Sequence, residues 1–147
     1  MVVSTRGRYA LRVLIDLAER GDDALVPMKH VAEKHNISLK YLEQILPLLT
    51  RNGLVEGVQG KGGGYRLNRA PADISVYDIL QLTEVDLTPV ACLAEDADDC
   101  PLRPECRTFP MWNELNTLLV DFFTGVTVAD LMRKPGQGSP EGGGSGA

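Results

Sequence analysis

The sequence predicts a mainly α-helical chain carrying one small β-hairpin, and three observations lead there. Apolar residues recur at helical spacing in several separate segments, two short strand-like runs flank a glycine cluster near the middle, and a long C-terminal segment repeats its apolar positions at intervals of 4, 3 and 4. With 147 residues, 44% hydrophobic and 24% charged, the chain has the size and composition of one ordinary soluble domain with a buried core. Two independent domains, or disorder throughout, do not fit that balance. The apolar run from Tyr9 to Leu17 is broken by Arg12 and ends beside Asp16, so it is neither an export signal nor a membrane span. A cytoplasmic protein without membrane contact is expected.

The first helix follows Ser4 and Thr5, either of which can cap it, and gathers Ala10, Leu11, Val13, Leu14, Leu17 and Ala18 on one face. Gly21-Asp22-Asp23 ends it. A second helix of about two turns, with Met28, Val31 and Ala32 inward, starts after Pro27, a residue suited to a first helical turn. Asn36 turns the chain and Ser38 caps a third helix expected to bury Leu39, Leu42, Ile45, Leu46 and Leu49, with Pro47 kinking or shortening it near its end. Leu54 to Gln59 and Tyr65 to Leu67 are the two strands, joined through Gly60, Gly62, Gly63 and Gly64. Ser75 and Asp78 form a capping box before a helix through Ile79, Leu80 and Leu82. Residues 86 to 107 show no sustained period. Pro110 then opens a helix with a seam of Met111, Leu115, Leu118 and Phe122, a surface that calls for a partner, and Thr127 caps a final short helix through Leu131 and Met132.

Short helix, tight turn and capped helix followed by a two-stranded hairpin make a winged helix-turn-helix, and the charge distribution agrees with that outline. The net charge of −5 divides unequally: residues 1–69 carry 11 Lys and Arg against 7 Asp and Glu, whereas residues 70–147 carry 4 against 13. A basic half suits an anionic polymer such as double-stranded DNA, and the acidic half points away from it; a solvated surface explains the same numbers. The glycine cluster is not a phosphate-binding P-loop. Gly60-Lys61 is followed by no Ser or Thr and preceded by no glycine at the required distance. The expected organisation is a winged helix-turn-helix over 1–84, a cysteine-bearing segment over 85–107, a long dimerisation helix with a short C-terminal helix over 108–134, and a disordered Gly/Ser/Pro-rich tail over 135–147.

All three cysteines, Cys92, Cys100 and Cys106, lie in the segment without helical period, spaced C-x7-C-x5-C. An odd number in a chain without an export signal argues against a disulfide framework. Thiolate is the soft ligand that iron–sulfur clusters take, and loops of seven and five residues let three sulfurs reach one centre. Redox-active thiols and cysteines without a chemical part remain open on spacing alone. Structural zinc fits less well, because it takes four protein ligands and favours paired C-x2-C spacing. His30 and His35 lie in the helix-turn-helix, where surface or capping roles suffice. Glu95, Asp96, Asp98 and Asp99 form a solvated acidic run with an oxygen ligand as its less usual role.

Gly7-Arg8-Tyr9-Ala10-Leu11-Arg12, Ile37-Ser38-Leu39-Lys40-Tyr41-Leu42-Glu43-Gln44, Asn52-Gly53-Leu54-Val55 and Gly62-Gly63-Gly64-Tyr65, followed by the three cysteines, closely resemble the IscR/NsrR/RirA-type winged-helix transcription regulators over residues 1–134. The resemblance implies a homodimer built on the long C-terminal helix, with an iron–sulfur cluster on Cys92, Cys100 and Cys106 controlling binding to a DNA operator. Two positions depart from the pattern. Phe109 stands where IscR-type proteins carry a histidine ligand, and Arg8 stands where NsrR-type proteins use an aspartate from the other subunit. The fourth ligand is therefore open, and a 4Fe-4S cluster with one labile iron is favoured over 2Fe-2S.

For DNA, the exposed face of the recognition helix offers Ser38, Lys40, Tyr41, Glu43 and Gln44: Gln pairs with adenine, Glu accepts from cytosine, and Lys or Tyr holds phosphate or a base edge. Arg6, Arg8, Arg51, Lys61 and Arg66 are further phosphate candidates. Gln59 replaces the wing arginine that the resemblance leads one to expect, which assigns that contact to Lys61. No nucleophile set or carboxylate pair suggests an enzyme. Two rivals stand beside the cluster-dependent regulator: a cluster-free regulator of the same fold switching by cysteine oxidation or partner-protein binding, and an iron–sulfur assembly or carrier protein docking an acidic partner.

Overall fold

A computed structural model describes residues 3–21 and 23–133. Helix α1 (Thr5–Arg20) is capped by Ser4, whose hydroxyl accepts the Gly7 N–H at 3.0 Å, which decides between the two cap candidates. Its apolar face, including Ala10, Val13, Leu14 and Leu17, lies at the centre of the core. Helix α2 (Met28–His35) follows Pro27, which sits at the cap position, and ends on Asn36 in the left-handed conformation at φ 53°. Ser38 then caps helix α3 (Leu39–Arg51) by accepting the Tyr41 N–H at 3.0 Å.

One expectation for α3 needs correction. Leu39 is 44% exposed, because the first helical position faces outward while Leu42, Ile45, Leu46 and Leu49 form the buried stripe. Pro47 lies inside the helix, which continues to Arg51. Side-chain donors gather on this final stretch: Thr50 Oγ1 donates to the Leu46 carbonyl at 2.9 Å, Arg51 Nε to that of Pro47 at 3.2 Å and Asn52 Nδ2 to that of Leu48 at 2.7 Å.

Strands β1 (Val55–Val58) and β2 (Gly64–Leu67) pair antiparallel, Val55 opposite Leu67 and Val58 opposite Gly64. Val26 and Tyr65 exchange backbone hydrogen bonds, both at 2.9 Å, and so dock the hairpin onto the α1–α2 connection. The approach is close. A Cβ at Gly64 would stand 2.6 Å from the Val26 carbonyl carbon, so the hairpin seats against this backbone only with glycine there.

A single 3-10 turn (Pro71–Asp73) leads to α4 (Val76–Thr83), whose capping box is complete: the Ser75 hydroxyl accepts the Asp78 N–H and the Asp78 carboxylate accepts the Ser75 N–H, each at 3.0 Å. The cysteine-bearing segment contains two more 3-10 turns, Ala91–Leu93 and Arg103–Glu105. Helix α5 (Phe109–Gly125) has Pro110 in its first turn and no fully buried residue; α6 (Val128–Leu131) begins with a second capping box, Thr127 with Asp130. Val128 is fully buried in the core, and its N–H donates to the Ile74 carbonyl at 2.9 Å, so the chain beyond α5 returns to α1. The tail expected over 135–147 lies outside the described residues.

The core joins α1, α2 and α3 with Val26, Leu54, Val55, Ile74, Ile79 and Val128. Full burial of each such aliphatic side chain contributes roughly 1.5–3 kcal/mol. One charge lies among them. Asp16 is 1% exposed and its carboxylate takes Lys34 Nζ at 2.9 Å, Arg20 Nε at 3.2 Å and His35 Nε2 at 3.3 Å, pinning α2 to α1. Burial pushes this carboxyl's pKa up, but the hydrogen bonds and charges of Lys34 and Arg20 outweigh it and hold the group below the usual carboxylate value.

Candidate nucleic-acid interface and cysteine segment

Helix α3 presents its polar face because its apolar stripe is committed to the core. Lys40, Glu43 and Gln44 are exposed on it, and none has a side-chain partner among the described residues. Gln59 and Lys61 are likewise exposed at the hairpin turn, which is built on left-handed glycines at Gly60 (φ 98°) and Gly62 (φ 78°). These five side chains have free hydrogen-bonding capacity for base edges and phosphates.

The other candidates are engaged within the chain. The Ser38 hydroxyl is the α3 cap, and the Tyr41 ring stands edge-on to Tyr9 at 5.5 Å, with the Arg12 guanidinium over Tyr9 at 5.7 Å. Arg6 donates Nε and Nη2 to the Thr83 carbonyl at 3.1 and 2.7 Å, which turns it toward the end of α4. Arg66 spans the hairpin to Glu56 at 3.1 Å, Arg51 bonds back to Pro47, and Arg8 donates to Thr5 Oγ1 at 3.1 Å on the surface.

Glu84, absent from the sequence-derived set, joins the two halves of the molecule. Its carboxylate accepts the Ser4 N–H at 3.1 Å and the Ser4 hydroxyl at 2.8 Å, so a negative charge sits at the positive N-terminus of α1. Gly7 is buried beside it, where a Cβ would meet the Glu84 carboxylate. Around this contact a cavity of about 610 Å³ is lined by Ser4, Thr5 and Arg6, by Tyr41 and Gln44 of α3, and by Thr83 to Asp86, where the cysteine-bearing segment starts. Recognition helix and cysteine segment thus share one wall. No local pattern announces a partner eighty residues away.

Cys92, Cys100 and Cys106 are free thiols, each half-exposed. Arg103 connects the three residues: its N–H donates to the Cys100 carbonyl at 3.0 Å, its carbonyl accepts the Cys106 N–H at 3.1 Å, and Nη2 donates to the Cys92 carbonyl at 2.9 Å. The guanidinium lies over the Phe109 ring at 4.6 Å, and its Nε is buried without a hydrogen-bond partner. Arg103 was not singled out from the sequence, although a cation among so few in residues 70–147 was a usable signal. The Cys106 thiol pKa is lowered, chiefly by the Thr108 hydroxyl 3.5 Å away and then by the N–H groups of Thr108 and Phe109 at the start of α5.

Among the described residues, no three His, Cys, Asp or Glu side chains converge as a metal centre does. The chemistry of the segment nevertheless fits a thiolate-bound iron–sulfur group. Three free thiols lie on one segment, neighbouring donors lower the pKa of one of them, and the buried Arg103 Nε–H has no acceptor. Beside it, a cleft of about 920 Å³ between α4 and residues 84–98 includes Cys92 and the carboxylates Glu84, Asp86, Glu95, Asp96 and Asp98.

A helix-turn-helix whose recognition face is open, with a glycine-built wing beside it, defines a DNA-binding winged-helix transcription regulator. Residues 3–134 match the Rrf2 family, described as "Iron-dependent Transcriptional regulator", and the chain belongs to that family. It is 34% identical over 133 residues to the HTH-type transcriptional regulator IscR of Photobacterium profundum, covering 90% of this chain and 76% of that protein. Against a putative HTH-type transcriptional regulator of Haemophilus influenzae the identity is 34%, covering 91% and 88%. Among solved structures, CymR (YrzC), titled the global cysteine regulator of B. subtilis, superposes with a TM-score of 0.73 at 31% identity, covering 89% of this chain and 95% of that one. IscR of T. potens gives 0.68 at 31% identity, covering 89% and 85%. These relatives are transcription regulators, which are not enzymes. No helix among the described residues is long and apolar enough to cross a membrane.

Proposed function

We propose that this protein is a cytoplasmic, homodimeric regulator that binds a double-stranded DNA operator and holds an iron–sulfur cluster on Cys92, Cys100 and Cys106. The observation that carries the proposal is the linkage of all three cysteine residues through Arg103, in a chain of an iron-dependent regulator family. When bound, the cluster supplies an iron centre whose occupancy and oxidation state report on iron, oxygen or nitric oxide. A 4Fe-4S form remains favoured, because Phe109 offers no fourth ligand.

The chain's own residues supply the rest. Lys40, Glu43 and Gln44 enter the major groove, and Gln59 and Lys61 carry the wing contact. Met111, Leu118 and Phe122, each more than half exposed along α5, form the seam that a second copy covers. Glu84 and the cavity it shares with Tyr41 and Gln44 couple the cysteine segment to the recognition helix. A small rotation of the two recognition helices away from half-sites about 34 Å apart weakens both at once. Coupling of this kind is typically about 1–3 kcal/mol, or roughly 5- to 150-fold in operator affinity.

Native mass spectrometry of anaerobically prepared protein counts subunits, iron and sulfide together. A dimer with cluster mass, whose loaded and unloaded forms differ in operator mobility shifts, is the expected result. Absence of iron and sulfide after anaerobic reconstitution overturns cluster dependence. A second reading, switching by cysteine oxidation without a cluster, is favoured by the lowered Cys106 pKa and by likeness to the oxidized form of Staphylococcus aureus CymR (TM-score 0.71, 29% identity). It is selected if iron-free protein changes DNA affinity on disulfide formation.

A further inference from the structure

We propose that Arg103 is a positioning residue for the iron–sulfur centre, donating its Nε–H to a cluster sulfur while its Nη2 holds the Cys92 carbonyl in place. The inference rests on the cluster reading above and goes beyond it by assigning work to a side chain that is not a ligand.

Four observations support it. The Arg103 side chain holds the Cys92 carbonyl through Nη2, while its main chain closes the turn between Cys100 and Cys106, so the guanidinium is anchored among the whole donor set. Its Nη2 is fixed on the Cys92 carbonyl and its plane rests on Phe109, which leaves the guanidinium little freedom to turn out to water. Its Nε is buried with no acceptor in the chain. A buried N–H in that state is costly, and a thiolate or inorganic sulfide within the same segment is an acceptor of matching charge. Finally, a cluster on three thiolates adds negative charge to a segment that already carries Asp86, Glu95, Asp96, Asp98 and Asp99. Arg103 offsets that repulsion from inside.

An N–H donated to sulfur withdraws electron density and favours the reduced, more negative cluster, so loss of the donor lowers the reduction potential. Arg103→Lys keeps the charge but lacks the rigid fork, and Arg103→Gln removes the charge. Neither touches the core, because no residue of the Arg103–Glu105 turn is fully buried.

The experiment compares wild type, Arg103→Lys and Arg103→Gln after anaerobic reconstitution. It reads iron and sulfide per subunit, reduction potential by redox titration, Fe–S stretching frequencies by resonance Raman and cluster loss to a chelator. Unloaded circular dichroism checks that each variant folds. Wild type is expected to load; both variants show a more negative potential and shifted Fe–S stretches, and the Gln variant loses its cluster about tenfold faster. Wild type that takes up no iron and sulfide overturns the cluster reading and this inference with it. Wild type that loads, with potential, stretches and loss rate unchanged in both variants, overturns the role of Arg103 alone. Faster loss with unchanged potential and stretches reduces Arg103 to a backbone brace and also overturns the proposed N–H to sulfur bond.

Discussion

Replacing Gly7 with alanine tests the junction between α1 and the start of the cysteine segment, because two physical effects predict opposite signs. In an open helix the change stabilises by roughly 0.5–1 kcal/mol, since alanine loses less backbone entropy than glycine. Here the new Cβ falls on the Glu84 carboxylate and stands 3.0 Å from Thr83 Oγ1 and 3.2 Å from Leu80 Cδ2. Glu84 can swing away only by releasing the Ser4 N–H and hydroxyl, and hydrogen bonds to a charged acceptor contribute about 1.5–3 kcal/mol each. Overpacking against Thr83 and Leu80 adds about 1–3 kcal/mol. Set against the helix gain, the balance is a net loss of about 3 kcal/mol or more. Urea unfolding followed by circular dichroism at one fixed protein concentration measures it. Glu84→Ala closes a double-mutant cycle: with the carboxylate gone, Gly7→Ala costs about 3 kcal/mol less, so the pair is non-additive. Stabilisation by Gly7→Ala alone, or additivity in the cycle, refutes the assigned contact.

Asp16→Asn should cost about 1–2 kcal/mol at neutral pH, a modest loss because Lys34 and Arg20 keep partly solvated heads. Since the folded carboxyl titrates below its ordinary value of 3.8, its contribution is complete well above that pH and disappears as pH falls through the lower folded value. Wild type and Asn variant should therefore converge in acid denaturant titrations; a gap independent of pH contradicts this. Lys40→Ala should weaken binding and reduce the salt slope of operator affinity by about one unit if Lys40 meets a phosphate, and an unchanged slope in mobility shifts rules that contact out. Phe122→Asp places a charge in the exposed α5 seam, where sedimentation should show a monomer with wild-type circular dichroism; a retained dimer moves the interface elsewhere.

The helices and hairpin were legible because their causes are local. Ser38, the Ser75–Asp78 box and the Thr127 cap each act on a backbone N–H three residues along, and apolar spacing alone located the buried stripes of α1 and α3. Pro47 removes one ladder bond, yet the helix runs on to Arg51, held by the burial of Ile45, Leu46 and Leu49 around it.

What composition and periodicity left open was how each polar group is used. Arg6, Arg66 and Lys40 are equivalent as letters in a basic half, yet the fold engages the first with Thr83, the second with Glu56, and leaves the third exposed. Asp16, by sequence a polar interruption of an apolar run, is the buried anchor of α2. The local sequence thus determined which segments become helix, strand and turn, since those depend on neighbours within a few residues. Tertiary packing decided that Glu84 reaches Ser4, that Val26 meets Tyr65 and that the Arg103 Nε is left without an acceptor, because hydrogen-bond partners are assigned by proximity in space once the core has closed.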